Sequence, residues 1–197
     1  MSDTITLVCG FGRCGSSLVM QMLVAGGIRS FGGEYPTYEA PEVNSLPYSY
    51  QWLKQAQGMA VKVLDPHMRL TWAAPTWYLP FRSIWIDREP KEQAKSMAKF
   101  LAAMAPHLPA MGRGQRKALE HSFRRDRKKS VDLLCALGPV LVTSFECLLG
   151  NPRQASEEVA LFCGCLDAEA MRQVVRPRGP ACLPYMMELE LMEEAGA

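Results

Sequence analysis

Gly10-Phe11-Gly12-Arg13-Cys14-Gly15-Ser16-Ser17 stands between an apolar run, Thr4-Ile5-Thr6-Leu7-Val8-Cys9, and a segment with Leu18, Val19, Met22 and Leu23 at helical spacing. The run before it is short and rich in β-branched residues, the pattern of a buried strand. The segment after it predicts a helix over 16–25, closed by Gly26-Gly27. A strand, a glycine-rich turn and a helix N-terminus together make an anion site. The backbone N–H groups there point at the ligand, and the helix dipole favours negative charge. The stretch reads as a phosphate-binding loop.

The same alternation continues along the chain. Met59-Ala60-Val61-Lys62-Val63-Leu64 predicts a second buried strand, broken by Asp65-Pro66. Residues 81–87 and 139–143 predict a third and a fourth. Helical patterns cover 91–104, 153–163 and 168–174, and one falls within 45–57. Residues 115–137 are helical in tendency, with an expected interruption at the charge run Arg124-Arg125-Asp126-Arg127-Lys128-Lys129. That run reads as a solvated helix face. Strands alternating with helices imply parallel pairing and right-handed crossovers. The expected fold class is α/β, a three-layer α/β/α domain with a central parallel sheet over residues 1–180, followed by a tail or short helix over 181–197.

The composition fits one domain of this kind: 197 residues, 48% apolar and 21% charged. A net charge of +2 is too small to point to nucleic acid. The longest apolar stretch, 18–28, holds Gln21 and two glycines and falls short of the roughly 20 residues that span a bilayer. The first residues lack a basic, cleavable leader, so a cytoplasmic protein without a membrane partner is expected. The seven cysteines are odd in number and lie in apolar contexts, which suits reduced thiols. Cys163-Gly164-Cys165 has the wrong spacing for a zinc knuckle, and no metal site is expected.

The loop admits three functional readings. Gly10-x-Gly12-x-x-Gly15 matches a dinucleotide fingerprint, with Glu34 about 20 residues on, but Phe31-Gly32-Gly33-Glu34 makes a poor second strand. Gly10-x4-Gly15 has Walker A spacing, but Ser16 stands where the phosphate-binding Lys belongs. The third reading places the cation, Arg13, inside the loop. A second motif bears on the choice: Arg88-Glu89-Pro90 follows the third strand, and Ser96 lies about two turns into the next helix. An Arg at that strand end faces the ligand crevice of an open α/β sheet and suits a terminal phosphate.

Gly12-Arg13-Cys14-Gly15-Ser16-Ser17-Leu18 resembles the 5′-phosphosulfate loop of the sulfotransferase family, written Pro-Arg/Lys-Ser-Gly-Thr-Thr/Ser-x-Leu. Arg88-x-Pro90 with Ser96 resembles the same family's 3′-phosphate motif. The likeness extends to Ala60-Val61-Lys62-Val63 and to Phe145-Glu146-Cys147-Leu148, covers most of residues 4–175, and is nearest in style to the small bacterial members. Gly12 replaces the family's Pro and Cys14 its Ser, and the Gly-rich C-terminal motif of the cytosolic steroid and phenol enzymes is absent.

The resemblance implies a P-loop NTPase-like fold and transfer of a sulfuryl group from 3′-phosphoadenosine 5′-phosphosulfate (PAPS) to a hydroxyl or amine. The acceptor would be a small molecule or a glycan. Arg13 would stabilise charge on the departing phosphate, with help from Lys62. Gly12, Cys14, Gly15, Ser16 and Ser17 would hold the 5′-phosphosulfate, Arg88 and Ser96 the 3′-phosphate, and Phe145 would lie near the nucleotide base. The proton acceptor is open: Glu34 stands where the tyrosylprotein branch has its Glu, and His67 follows the second predicted strand. Tyr35, Tyr38, Tyr48, Trp72 and Trp77 suggest an aromatic acceptor pocket. Two rivals remain: an NAD(P)-dependent oxidoreductase on the same glycines, and a catalytically degenerate nucleotide-binding interaction domain.

Overall fold

The computed structural model describes residues 3–33, 37–44, 51–70, 79–164 and 166–176. In chain order the elements are β1 (Ile5–Gly10), α1 (Ser16–Ala25), β2 (Arg29–Ser30), α2 (Pro41–Asn44), α3 (Trp52–Gln55), β3 (Met59–Leu64) and α4 (Pro66–Arg69). There follow β4 (Phe81–Asp87), α5 (Pro90–Met104), α6 (Arg113–Leu137), β5 (Val140–Ser144), α7 (Phe145–Gly150), α8 (Pro152–Phe162) and α9 (Ala168–Gln173).

The five strands form one sheet in the order β2-β3-β1-β4-β5, and every pair is parallel. β1 is buried along its whole length, as expected of a central strand covered on both faces. One face packs Leu7, Val61 and Trp85 with Leu134 and Phe123 of α6. The other packs Val8, Ile84 and Ile86 with Met22 of α1, Val159 of α8 and Met171 of α9. This is the expected three-layer α/β/α arrangement. After β1 the chain crosses to β2 and β3 on one side and then to β4 on the other. The crevice at the C-terminal end of β1 is therefore the switch point where open parallel sheets bind ligands.

Three local expectations are revised. The two-residue β2 joins the sheet edge; its short length left no periodicity to read. Asp65-Pro66 does not simply end β3: Asp65 adopts a left-handed conformation (φ 51°), and Pro66 opens the one-turn α4 that carries His67. The charge run does not interrupt α6, which continues for 25 residues. Phe123, Asp126, Ser130 and Leu134 form its buried face, and the cations find acids around it. Arg125 and Lys129 hold Asp126, and Arg127 reaches Asp87. Of the expected helix over 45–57, Trp52–Gln55 is present and 45–50 lie outside the described residues. The tail over 181–197 lies outside them as well. Among the described residues no helix is long and apolar enough to cross a membrane.

Candidate active site

The loop leaves β1 at the switch point and turns tightly, with the Cys14 N–H donating to the Phe11 carbonyl at 3.1 Å. Two left-handed residues shape it, Arg13 (φ 68°) and Gly15 (φ 99°). For Arg13 this conformation carries strain of the kind that clusters at ligand sites. At Gly15 a side chain is excluded twice, by the dihedral and by the Phe145 ring, which lies 2.4 Å from where a Cβ would stand. Gly15 precedes α1, whose N-terminus has no side-chain cap and no acidic residue in its first turn. The helix end thus offers its N–H groups and dipole to an external anion.

Cys14 points the other way. It is fully buried beneath the loop, and a Cβ on Gly10 would lie 2.4 Å from its sulfur. Burial pushes its thiol pKa up, partly offset by hydrogen bonds from Ser16. With its N–H spent on Phe11, Cys14 packs under the loop, so the expected contact from its side chain to the nucleotide is not available. Gly12 lies against α5, its carbonyl accepting from the Gln93 amide at 2.9 Å.

The two motifs that lie far apart in sequence meet at Arg13. Arg88 Nη1 donates to the Arg13 carbonyl at 2.6 Å. The Arg13 side chain runs toward α5, where its Nε makes a long hydrogen bond to Ser96 Oγ at 3.4 Å. Each guanidinium lies over an aromatic ring, Arg13 over Phe100 at 4.7 Å and Arg88 over Phe145 at 4.5 Å. The Phe145 ring is buried between Gly15 and Arg88 and braces both.

Lys62 is the cation on the opposite, α1 side. It is 4% exposed, and its Nζ reaches Ser17 Oγ at 3.0 Å, the Thr37 carbonyl at 2.8 Å and Glu39 Oε1 at 3.2 Å. A buried ammonium needs such partners, because desolvation alone would cost several kcal/mol. Ser17 is in the first turn of α1, so Lys62 brings positive charge to the N-terminal end of that helix. Ser16 is nearly buried beside it.

His67 sits edge-on to Phe11, with ring centroids 5.9 Å apart, and its Nδ1 lies 3.1 Å from Ser130 Oγ. Ser130 donates its hydroxyl hydrogen to the Asp126 carbonyl. It therefore accepts from His67, whose hydrogen is placed on Nδ1. Nearby, burial raises the pKa of Asp65, with Arg69 and His67 opposing that shift. Arg125 beside Asp126 holds that carboxyl far below the usual carboxylate range. Glu34, Tyr35, Tyr48, Trp72 and Trp77 lie outside the described residues; Tyr38 is buried in the core.

Sequence reading passed over Gln93 and Glu39. Gln93 is buried on α5 and donates to the carbonyls of both Phe11 and Gly12. Its signal was available: it lies three residues before Ser96, on the same helix face. Glu39 had no comparable signal, since only the fold brings its loop to β3.

No protein-family model matches the sequence, and a comparison with curated proteins finds no relative. Solved structures do match. Mouse sulfotransferase SULT7A1, crystallised with PAP, superposes with a TM-score of 0.59 at 14% identity, over 89% of this chain and 65% of that one. The chain thus spans just under two thirds of the mouse protein's length. The sulfotransferase domain of the curacin biosynthetic pathway gives 0.61 at 15% identity, over 94% and 82%. That of the Synechococcus PCC 7002 olefin synthase gives 0.55 at 14%, over 100% and 95%. The chain has the fold of the sulfotransferases, a P-loop NTPase-like α/β architecture.

Proposed function

We propose that the protein transfers a sulfuryl group from PAPS to a hydroxyl or amine of a small molecule or glycan. One observation carries the reading: the glycine loop and the Arg88–Ser96 motif, 75 residues apart, join through Arg13 at the switch point of a sulfotransferase fold. The residues suit a nucleotide with phosphates at both ends of its ribose. The first turn of α1 with Ser16 and Ser17 would hold the 5′-phosphosulfate, beside Lys62. Arg88 and Ser96 would hold the 3′-phosphate, where a bidentate guanidinium fits a terminal phosphate. Arg13 lies between the two groups and would stabilise charge on the departing phosphate oxygen together with Lys62.

The dinucleotide alternative gains nothing from the geometry. It requires an acid at the end of the second strand, and β2 ends at Ser30. A thermal-shift comparison of PAP, NAD, NADP and ATP tests the choice. A ligand at about 100 times its dissociation constant adds about 2.7 kcal/mol, and PAP is expected to stabilise most. Stabilisation by NAD alone would overturn the proposal. PAP binding with no transfer from PAPS across a panel of alcohols, phenols and amines would favour a nucleotide-binding interaction domain.

A further inference from the structure

We infer that Glu39 is the proton acceptor of the transfer, and that the arriving nucleotide frees it for that role; the inference rests on the sulfuryl-transfer reading above. In the free protein the Glu39 carboxylate is half exposed and is ion-paired to the buried Lys62 at 3.2 Å. The same ammonium touches Ser17 at the N-terminus of α1. Glu39 is thus one side chain away from the helix end that receives the phosphosulfate. An anion bound there competes with Glu39 for Lys62. When Lys62 turns to the sulfuryl oxygens, the carboxylate loses its ion-pair partner beside the reacting group, and its lone pairs are available to a proton.

The backbone holds Glu39 in this place. The Gly33 N–H donates to the Glu39 carbonyl at 3.0 Å. A Cβ on Gly33 would stand 2.6 Å from that carbonyl oxygen, and one on Gly32 (φ 94°) would stand 2.2 Å from the Ala40 Cβ. Residues 32–33 and 39–40 therefore meet at a distance only glycine allows. Tyr38, left-handed at φ 54° and buried, turns the chain between Thr37 and Glu39, the two residues that bond Lys62. Among the described residues, three other acids near the loop are engaged elsewhere. Asp87 binds Arg127 and Trp85, Glu89 caps α5, and Asp65 faces Arg69, His67 and Asp126.

In the step, the acceptor oxygen attacks sulfur and a new O–S bond forms. The bond from sulfur to the 5′-phosphate oxygen breaks, and its electron pair stays on that oxygen. The acceptor's O–H proton passes to the Glu39 carboxylate and then to water. The sum is R–OH + PAPS → R–OSO3⁻ + PAP + H⁺, with no oxidant or further co-reactant.

The test compares wild type, Glu39→Gln and Glu39→Asp with PAPS and two acceptors. At about pH 8.5 phenol keeps its proton while p-nitrophenol arrives ionised, so only phenol needs a base. Release of PAP with water as acceptor is followed in parallel. Glu39→Gln is expected to lower kcat with phenol by roughly 10²–10³-fold and with p-nitrophenol by less than about 10-fold. Affinity for PAP should stay unchanged or tighten, since Lys62 is freed. Glu39→Asp should recover part of the phenol rate. Equal losses on both phenols, or weakened PAP binding that accounts for the lost rate, would overturn the assignment and leave a structural prop. An unchanged phenol rate would overturn it outright. Wild-type protein that fails to bind PAP, or transfers to neither phenol nor water, would count against the sulfuryl-transfer reading itself.

Discussion

The two flanks of the glycine loop hold their cations differently. On the α1 side Lys62 is buried and bonded to a hydroxyl of α1 and to a carbonyl and a carboxylate of one short loop. On the α5 side Arg13 and Arg88 lie over Phe100 and Phe145 and are tied to each other through the Arg13 carbonyl. A compact ammonium on a four-carbon stem can exchange one partner for another. A guanidinium laid over a ring is a fixed plate with a planar fork of donors. On the proposed function the contrast divides the work: Lys62 would change partners during chemistry, Arg88 would grip the phosphate that does not react, and Arg13 would join the two.

Substitutions that strike one flank at a time should separate the two roles. The largest effect is expected at Lys62. Lys62→Ala should lower kcat for transfer from PAPS by roughly 10²–10³-fold, the loss usual for a donor placed where transition-state charge develops. Circular dichroism should show the fold retained. If the loss falls on nucleotide affinity instead, the α1 flank is a binding flank and the contrast fails. Arg88→Ala should weaken PAP by about 1.5–3 kcal/mol, the range for hydrogen bonds to charged groups, with kcat at saturation reduced less than for Lys62→Ala. Calorimetry with PAP reads this directly, and an unchanged dissociation constant would detach the Arg88–Ser96 motif from the site.

Gly15→Ala strikes both flanks through the shared turn. The left-handed dihedral costs roughly 1–2 kcal/mol in a residue with a side chain, and the Phe145 ring must also move. A fall in thermal midpoint together with weaker PAP binding is expected; a neutral result would mean that the Phe145 brace is slack. The smallest effect concerns Asp126 of α6. Its folded-state pKa is depressed, first by Arg125, so its contribution is present above the unfolded Asp value near 3.9 and is lost as pH falls toward the folded value. Asp126→Asn should lower stability at neutral pH by about 1 kcal/mol or less, since Arg125 is exposed. It should also flatten the acid limb of the stability curve below about pH 4. Urea titrations at several pH values check both, while PAP binding at neutral pH should be unaltered.

Much of the α5 flank was legible in the chain. Arg88, Pro90 and Ser96 lie within ten residues, and helix geometry fixes how they face the strand end. The α1 flank was legible only in part. Lys62 reads as one polar residue in an apolar strand, and nothing in its neighbourhood names Ser17, Thr37 or Glu39 as partners. The carboxylate that the family resemblance suggests, Glu34, lies outside the described residues; among those described, Glu39, five positions on, bonds Lys62. Loop residues follow no period, so counting cannot locate them.

The chain's own pattern was enough for the alternation of the four longer strands with the longer helices, the glycine loop between β1 and α1, and the second motif after β4. Each rests on local physics: side-chain periodicity, the dihedral freedom of glycine, and the open N–H groups of a helix end. Tertiary structure alone decided which way the cations point. Cys14 is turned into the core, Arg13 runs to Ser96, and Lys62 meets Ser17 and Glu39. These outcomes depend on contacts between residues 23 to 83 positions apart. Such contacts exist only once parallel strands have been brought side by side and the two helical layers have closed over them.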